Sequence, residues 1–486
     1  MKKALAVLVL VLLILVAILT ARAAAVKSRQ VEAAPVTDLA IDARAAAERL
    51  AGAIRFPTVS HEDGKTVEAE AFRGLHSHLA QSFPRVHAVL TRETVADYSL
   101  LYTWKGRNPN LAPILLMSHL DVVPIEPGTE RDWTQPPFSG LIDGVYVWGR
   151  GTMDDKVSVL AILEAAETLL ARDFQPQRTL YFAFGHDEEV GGSKGAAAIG
   201  ALLERRGVRP ELILDEGGAI VEGIVPGVAR PVAFVGTAEK GSVTVELVVA
   251  DAGGHSSMPP PHSAVGKLAA AIKKLEDNPM PARIDGATKH SFEYLAPEMP
   301  FGPRLVLANL WLFAPLAERQ FASEPAGNAS IRTTAAATIF QAGIKENVLP
   351  HRARAVLNFR ILPGDTIASV LRYVRETVGP DIHVASGRAS LREPSPESDA
   401  EAPGFRLIQR TLAQTLPGTV VAPNLLSGGT DSRHYLRLSR NVYRFLPIRM
   451  KREDLGRFHG TDERVSLESY AEVVRFYAQL LRNGAG

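Results

Sequence analysis

Residues 179–192, TLYFAFGHDEEVGG, restrict the possible folds more than any other part of the sequence. Positions 180–184 form a nearly continuous apolar run, whose length and aromatic content are typical of a strand buried on both faces. The run is followed by a histidine, an aspartate and two glutamates, Glu188 and Glu189. Adjacent glutamates at the mouth of a buried strand repel each other and lose solvation, and a cation would relieve both costs. Taken alone, the pair could equally be a solvated acidic loop.

Strand-like and helical patterns alternate along most of the chain. Apolar runs at 86–90, 113–118, 180–184 and 211–214 are typical of strands, and helical periodicity is clear at 157–170. This alternation predicts an α/β fold with a mostly parallel sheet and helices on both faces.

The pattern changes between residues 237 and 364, where we predict an inserted α+β domain. Residues 242–249 alternate polar and apolar side chains, as expected for an antiparallel strand with one solvated face. Residues 277–330 have no clear periodicity and are predicted to be mostly loop. The α/β pattern then resumes, so the α/β domain is predicted to consist of residues 38–236 and 365–486.

The N-terminal residues 1–25 form a separate segment, in which two lysines precede an apolar run and then ARAAA. This order is typical of a secretory signal peptide. The apolar run is also long enough to be an uncleaved membrane-spanning helix, and the sequence leaves both possibilities open. In either case we expect the rest of the chain to be exported, either periplasmic or secreted, or anchored to the membrane with the positive charges left inside.

Composition restricts the possible partners and ligands. The formal net charge is +1, so there is no electrostatic case for a nucleic-acid partner. The chain has no cysteine, which excludes disulfides and thiolate metal sites. Histidine and carboxylate side chains remain as possible metal ligands.

Acidic or imidazole side chains recur just after the predicted strands, or in the loop after one. They are His119, Asp154, Glu188, Glu189 and Asp215. Each has a local explanation, such as a strand cap, a helix N-terminal acid or a glycine turn. Ligands of open α/β sheets, however, bind at the carboxyl ends of the strands, so the recurrence favours one shared crevice. The loop that carries His459 could close this crevice.

Such a set of side chains suits one or two zinc ions, with Mn²⁺ or Co²⁺ as substitutes. Two cations about 3.5–4 Å apart need a shared carboxylate between them. Glu188 and Glu189 are neighbours whose side chains point in different directions, so they cannot be equivalent ligands. One of them can bind metal while the other acts as a general base.

Five motifs, HLDVVP, GRGTMDDK, GHDEEVGG, LDEGG and FHGTDE, occur in the order found in the M20 metallopeptidase/amidohydrolase family, which the chain resembles from about residue 38 to the C-terminus. The branch it resembles most contains carboxypeptidase S and N-fatty-acyl-amino-acid hydrolases. The resemblance implies two zinc ions and a role for each motif residue: His119 and Asp215 on one ion, Glu189 and His459 on the other, Asp154 bridging, Asp121 orienting the imidazole of His119, and Glu188 as general base.

The inserted segment resembles the lid or dimerisation domain of this family, which implies a possible homodimer. Its GGHSS motif implies that His255 stabilises an oxyanion once the lid closes; alternatively, it caps a glycine turn. Asn347 and Arg360 match substrate contacts, and an arginine suits a carboxylate, although Arg360 could be a solvated strand residue. Gly428 and Gly429 resemble a backbone loop near the carboxyl end of the substrate.

These expectations together describe a di-zinc hydrolase that cleaves an amide bond next to a free α-carboxylate. The substrate could be the C-terminus of a peptide or an N-acyl amino acid, and the second could also be formed in the reverse direction. The apolar residues around 292–313 could line an acyl groove. The alternative from another class is a catalytically inert, membrane-tethered binding protein that retains the fold.

Overall fold

The computed structural model describes residues 1–62, 66–387 and 391–486. The α-helices are α1 (Lys2–Ala25), α2 (Ala43–Ile54), α3 (Ala69–Ser82), α4 (Pro84–Val89), α5 (Lys156–Leu170), α6 (Ala196–Arg205), α7 (Ala264–Asp277), α8 (Gly286–Leu295), α9 (Phe301–Ala308), α10 (Leu310–Ala322), α11 (Pro325–Ile331), α12 (Ile367–Val378), α13 (Pro403–Thr415) and α14 (Leu467–Ala485).

The strands are β1 (Thr91–Val95), β2 (Ser99–Trp104), β3 (Ile114–His119), β4 (Leu141–Ile142), β5 (Tyr146–Trp148), β6 (Leu180–Gly185), β7 (Leu212–Asp215), β8 (Ile220–Val221), β9 (Val232–Glu239), β10 (Gly241–Ala250), β11 (Gly254–His255), β12 (Thr334–Ala342), β13 (Val348–Leu349), β14 (Arg352–Ile361), β15 (His383–Ser386), β16 (Val420–Leu426), β17 (Val442–Arg444), β18 (Arg449–Met450) and β19 (Arg464–Ser466).

The largest sheet has the strand order β1-β2-β6-β3-β7-β17-β9-β8-β18, and β16 also pairs with β9. Its centre is parallel, since β3 pairs in parallel with β6 and with β7, and β7 pairs in parallel with β17. The edge pair β1–β2 and the pair β2–β6 are antiparallel. The predicted mostly parallel α/β sheet is therefore confirmed.

Helices cover both faces of this sheet, as predicted. All six residues of β3 are buried, which explains why its sequence is apolar without alternation. Ile114 and Leu116 belong to the core that also contains α2, α5 and α14. Leu115 and Met117 face the other way and pack in the core formed with α6. The parallel strands therefore end together at one buried edge.

The inserted unit has its own sheet, in the order β12-β14-β10-β15. Helices α7 and α12 pack against it in a separate apolar core, to which α12 contributes Val370, Val374 and Val378. Because α12 and β15 lie after residue 364 and share this core, the unit continues to Ser386. The predicted boundary at residue 364 therefore differs from the packing.

The prediction of loop for residues 277–330 is wrong, because α8 to α11 lie there. These helices are short and interrupted by prolines, which weakens the periodicity in the sequence. Pro325 occupies the first turn of α11, and Pro315 lies inside α10. Residues 86–90, predicted as a strand, lie mostly in α4, which begins at Pro84.

Helix α1 differs from the other helices because most of its apolar side chains are exposed. Among the described residues, it is the helix that is long and apolar enough to cross a membrane. Leu19 and Ala23, near its C-terminal end, are buried. Helix α1 contacts α9, and the carbonyl of Leu19 accepts a hydrogen bond from Asn309, the residue after α9.

Candidate metal centre

Two groups of possible metal ligands lie at the carboxyl edge of the parallel strands. One contains His119, Asp154 and Glu216, and the other contains Asp154, Glu189 and His459. Within each group the candidate ligand atoms all lie within 4.8 Å of one another. Asp154 belongs to both groups, so the two sites are adjacent.

The two carboxylate oxygens of Asp154 face different imidazoles. Its Oδ1 lies 2.9 Å from Nε2 of His119, and its Oδ2 lies 3.0 Å from Nε2 of His459. Burial raises the pKa of Asp154, but the hydrogen bonds and charges of the two histidines outweigh it and hold the pKa below its usual value. This is the arrangement that a bridging carboxylate requires.

Asp121 fixes the orientation of the His119 ring. The backbone carbonyl of Asp121 accepts a hydrogen bond from Nδ1 of His119 at 3.0 Å, and its buried carboxylate lies 3.4 Å from the same nitrogen. The carboxylate also accepts hydrogen bonds from the hydroxyl of Ser60 and from the backbone N–H groups of Glu188 and Glu189. Asp121 therefore fixes the position of the His119 imidazole relative to the loop that carries Glu188 and Glu189.

The charges of the acidic side chains in this site are not balanced by nearby positive side chains. Burial and the negative charge of Asp154 raise the pKa of Glu189 and of Glu216 well above the usual range. Burial and the charges of Asp154 and Asp121 raise the pKa of Glu188 to about 8. Oε1 of Glu189 is buried and has no hydrogen-bond partner among the described residues. Divalent cations would satisfy this orphaned oxygen and compensate the acids, so the donor set fits the metal ions that the motifs imply.

The structure brings Glu216 into the first group, where the motif resemblance had implied Asp215. Asp215 is the last residue of β7, and its Oδ2 accepts a hydrogen bond from the backbone N–H of Ser432 at 2.7 Å. Its Oδ1 accepts one from the backbone N–H of Glu216 at 3.0 Å. Both oxygens of Asp215 are thus engaged by the backbone, and the side chain of Glu216 lies beside His119 instead.

A buried ion pair holds the His459 loop against the turn that carries the bridging aspartate. Arg150 donates hydrogen bonds to the carbonyl oxygens of His459 and of the next residue, both at 3.1 Å. Its Nη1 also lies 2.6 Å from Oε2 of Glu463, and Oε1 of Glu463 accepts the N–H groups of Gly151 and Met153. His459 itself has a left-handed backbone, with φ of 57°, a conformation that needs such support.

Sequence reasoning missed this pair of positioning residues. Arg150 lies in GRGTMDDK and Glu463 in FHGTDE, so both stood within motifs already singled out. The available signal was a pair of opposite charges, one in each of two motifs expected to meet. Both side chains are almost completely buried.

The crevice beside the two groups is partly apolar. Its lining consists of Asp154, Glu188, Glu189, Glu216, Gly217, Asn424, Leu425, Leu426, Ser427, Gly428, Gly429, Thr430, Phe458 and His459. Gly428 and Gly429 thus lie where the resemblance implies a substrate-binding loop. The guanidinium group of Arg392 lies directly against Gly429, so a Cβ at this position would collide with it.

The predicted oxyanion-stabilising His255 and the predicted substrate contacts Asn347 and Arg360 lie in the inserted unit and are exposed. His255 is in β11, and its Nδ1 lies 2.8 Å from the hydroxyl of Ser257. Asn347 accepts a backbone hydrogen bond from Ser256, and Arg360 lies in β14. None of the three is among the described residues that line the crevice. Their roles stay predictions that require the inserted unit to move.

The sequence is similar to a known protein family and to individual proteins. The profile of peptidase family M20/M25/M40 matches residues 115–483. "Probable carboxypeptidase S-like 2" of Dictyostelium discoideum is 44% identical over 441 residues, which cover 90% of this chain and 84% of that protein. The N-fatty-acyl-amino acid synthase/hydrolase PM20D1 of Xenopus tropicalis is 42% identical over 440 residues, which cover 90% of this chain and 85% of the relative.

Among solved structures, the chain resembles the M20 family metallo-carboxypeptidase Sso-CP2 from Sulfolobus solfataricus. The TM-score is 0.65 and the sequence identity is 18%, with 90% of this chain and 98% of the other covered. At this identity the similarity concerns the fold.

Proposed function

The chain belongs to peptidase family M20/M25/M40, and from this premise we propose that it uses two divalent cations to hydrolyse an amide bond next to a free α-carboxylate. One observation carries the proposal most directly. Two groups of ligand side chains share Asp154, while Glu188 lies in the same crevice and belongs to neither group.

The ligand set is best divided between the two ions according to these groups. His119 and Glu216 would hold one ion, Glu189 and His459 the other, and Asp154 would contact both. Zinc suits two imidazoles and three carboxylates, and Co²⁺ or Mn²⁺ could replace it. When bound, such ions polarise a carbonyl oxygen and lower the pKa of water.

Glu188 is the proposed general base. It would take a proton from the attacking water and return it to the nitrogen of the leaving amine. Its raised pKa favours proton uptake, and cations in the site would lower this pKa towards the working range. Asp121 supports this role because it holds the backbone N–H of Glu188.

The proposed substrates are a peptide with a free C-terminus and an N-acyl amino acid. One relative is named a carboxypeptidase S-like protein and another an N-fatty-acyl-amino acid synthase/hydrolase. In this proposal Gly428 and Gly429 present backbone groups to the substrate, and closure of the inserted unit brings His255, Asn347 and Arg360 to it. The same bond could be formed in the reverse direction.

The decisive test compares two neighbouring glutamates. Glu188→Ala should abolish turnover and leave two equivalents of metal bound, because Glu188 is not a ligand. Glu189→Ala should lose metal as well as activity. Metal content is measured by plasma mass spectrometry on purified protein. Loss of metal from Glu188→Ala, with metal retained in Glu189→Ala, would show that the two roles are exchanged.

A competition assay between N-acyl amino acids and blocked dipeptides separates the two substrate classes. Preference for either class would leave the amide hydrolase proposal standing. A metal-free protein with no chelator-sensitive activity on any of these substrates would instead favour the inert binding protein, which no observation supports at present.

We also propose export and a homodimer formed through the inserted unit. Export rests on the apolar helix α1, as a signal peptide or as an anchor. The dimer rests on β12, an edge strand of the inserted sheet that exposes Ile339 and Phe340. Light scattering of the purified protein tests the dimer, and a monomeric mass at micromolar concentration would refute it.

A further inference from the structure

Helices α9 and α10 expose an unusual number of large apolar side chains. Phe301, Trp311, Leu312 and Leu316 are all exposed, and Trp311 has 59% of its surface accessible. Single exposed apolar residues are ordinary, but a cluster within two short consecutive helices indicates an interaction surface. None of these four residues lines the described metal crevice.

This helix pair contacts the end of α1. The amide of Asn309, which joins α9 to α10 and is fully buried, donates a hydrogen bond to the carbonyl of Leu19 at 3.0 Å. Nε of Arg22 lies 3.5 Å from the carbonyl oxygen of Ala308. The indole N–H of Trp311 donates to the side chain of Asn309. The exposed tryptophan is therefore held next to the apolar helix.

The length of α1 sets the depth of this contact. Its 24 residues extend about 36 Å at about 1.5 Å per residue, and the hydrocarbon core of a bilayer is about 30 Å thick. Leu19 lies three residues before Arg22, which is about 4–5 Å further along the helix axis. If α1 spans a bilayer with Arg22 at the boundary, the α9–α10 pair lies at the membrane–water interface. Tryptophan side chains favour this region.

The segment after α1 is fastened to the folded body. The guanidinium group of Arg29 pairs with Glu293 at 3.0 Å and with Glu401 at 3.1 Å. The side chain of Gln30 donates to the carbonyl of Val421 and accepts from its N–H. Two neighbouring residues thus fix the direction in which α1 leaves the body.

We propose that α1 is retained as a membrane anchor and that the α9–α10 pair docks on the surface of the bilayer that α1 spans. The occupant of the apolar surface is lipid. Continuity with α1 is the argument for this choice, since the pair contacts the anchor where the helix reaches the interface. The proposal concerns how the body is placed on the membrane and is independent of the hydrolase activity.

The native tryptophans provide the test. Trp104, Trp133 and Trp148 are buried, whereas Trp311 is exposed. The full chain is reconstituted in vesicles of phosphatidylcholine and in matched vesicles of dibrominated phosphatidylcholine. Brominated lipid should quench part of the fluorescence, and Trp311→Phe should abolish that quenching.

Val89→Trp, made in the Trp311→Phe background, is the matched control. Val89 is 58% exposed and lies in α4 just before the edge strand β1, whereas α9 contacts α8, which packs on β16 towards the other end of the sheet. We expect no quenching of a tryptophan at this position.

Several results would overturn the proposal. They are an absence of quenching, quenching that survives Trp311→Phe, equal quenching at position 89, and an intact mass showing that residues 1–25 are removed from the exported protein. A dimer that dissociates in Trp311→Asp but persists in Phe340→Asp, measured by light scattering, would assign the surface to a second copy instead.

Discussion

Replacing Glu463 by glutamine is the sharpest test of how the metal centre is held together. Glu463 is fully buried, accepts three hydrogen bonds from the turn that carries Asp154, and neutralises the guanidinium group of Arg150. Glutamine has nearly the same shape but no charge, so Glu463→Gln leaves a buried cation without its partner. Removing one member of a buried ion pair costs about 3–5 kcal/mol. We expect the free energy of unfolding to fall by about this amount.

Urea unfolding followed by tryptophan fluorescence measures the change. The ring of Trp133 lies 5.3 Å from the guanidinium carbon of Arg150, so its emission reports on this region. Glu48→Gln is the matched control, because Glu48 pairs with Arg44 on an exposed helix surface. Such pairs contribute about 0.3–0.5 kcal/mol. A loss for Glu463→Gln as small as that of the control would refute the reasoning.

A second variant separates charge from shape. Because Arg150→Met removes the buried cation, the double variant Arg150→Met/Glu463→Gln should be more stable than Glu463→Gln alone. The double variant should also bind metal more weakly than Glu463→Gln, since it loses the contact of Arg150 with the carbonyl of His459. An unchanged metal affinity would mean that the His459 loop does not depend on this pair.

Three further predictions concern the ligand set, the buried Lys240 between β9 and β10, and the metal. Glu216→Ala should lose about one equivalent of metal and Asp215→Asn should retain both, as measured by plasma mass spectrometry; the reverse result would restore Asp215 as the ligand. Burial, aided by the charge of Arg360, lowers the pKa of Lys240 to about 7, so between this pH and its usual 10.5 the unfolded chain binds one more proton than the folded chain. Below this range the charged, buried Lys240 costs stability, and this cost falls by up to about 1.4 kcal/mol per pH unit as pH rises. The unfolding free energy of the wild type minus that of Lys240→Met should therefore increase with pH; a constant difference would contradict this. Removal of metal by a chelator should lower the melting temperature, because a cation that binds only the folded chain stabilises it, and an unchanged melting temperature would show that the folded chain holds no such cation.

The strands that end at the site could be predicted because they are buried on both faces. Residues 113–118 and 180–184 are uninterrupted apolar runs, and they form β3 and β6 at the centre of the sheet. In a parallel sheet such strands end at one edge, so His119 and Glu189 could be expected near each other without knowledge of the strand order. The family motifs added the residues that lie in loops, such as His459.

The helices of residues 277–330 could not be predicted from periodicity. Helices α8, α9 and α11 are too short to show several helical repeats, and Pro315 interrupts the longer α10. Their apolar residues also do not form a single buried stripe, because part of α9 and α10 is exposed next to α1. When the apolar residues of a helix lie on more than one face, the sequence of that helix has a weak amphipathic pattern.

The local sequence could not show which of Asp215 and Glu216 is the candidate metal ligand. Side chains of successive residues leave a strand on opposite faces, so only one of two adjacent acids at the end of β7 can point into the crevice. Ile213 packs in the core formed with α6, whereas Leu212 and Leu214 pack in the other core. Asp215 therefore continues on the side of Ile213, where the backbone N–H of Ser432 binds its carboxylate. That contact joins residues more than two hundred positions apart, so the sequence around β7 identifies two candidate ligands and only the folded chain distinguishes them.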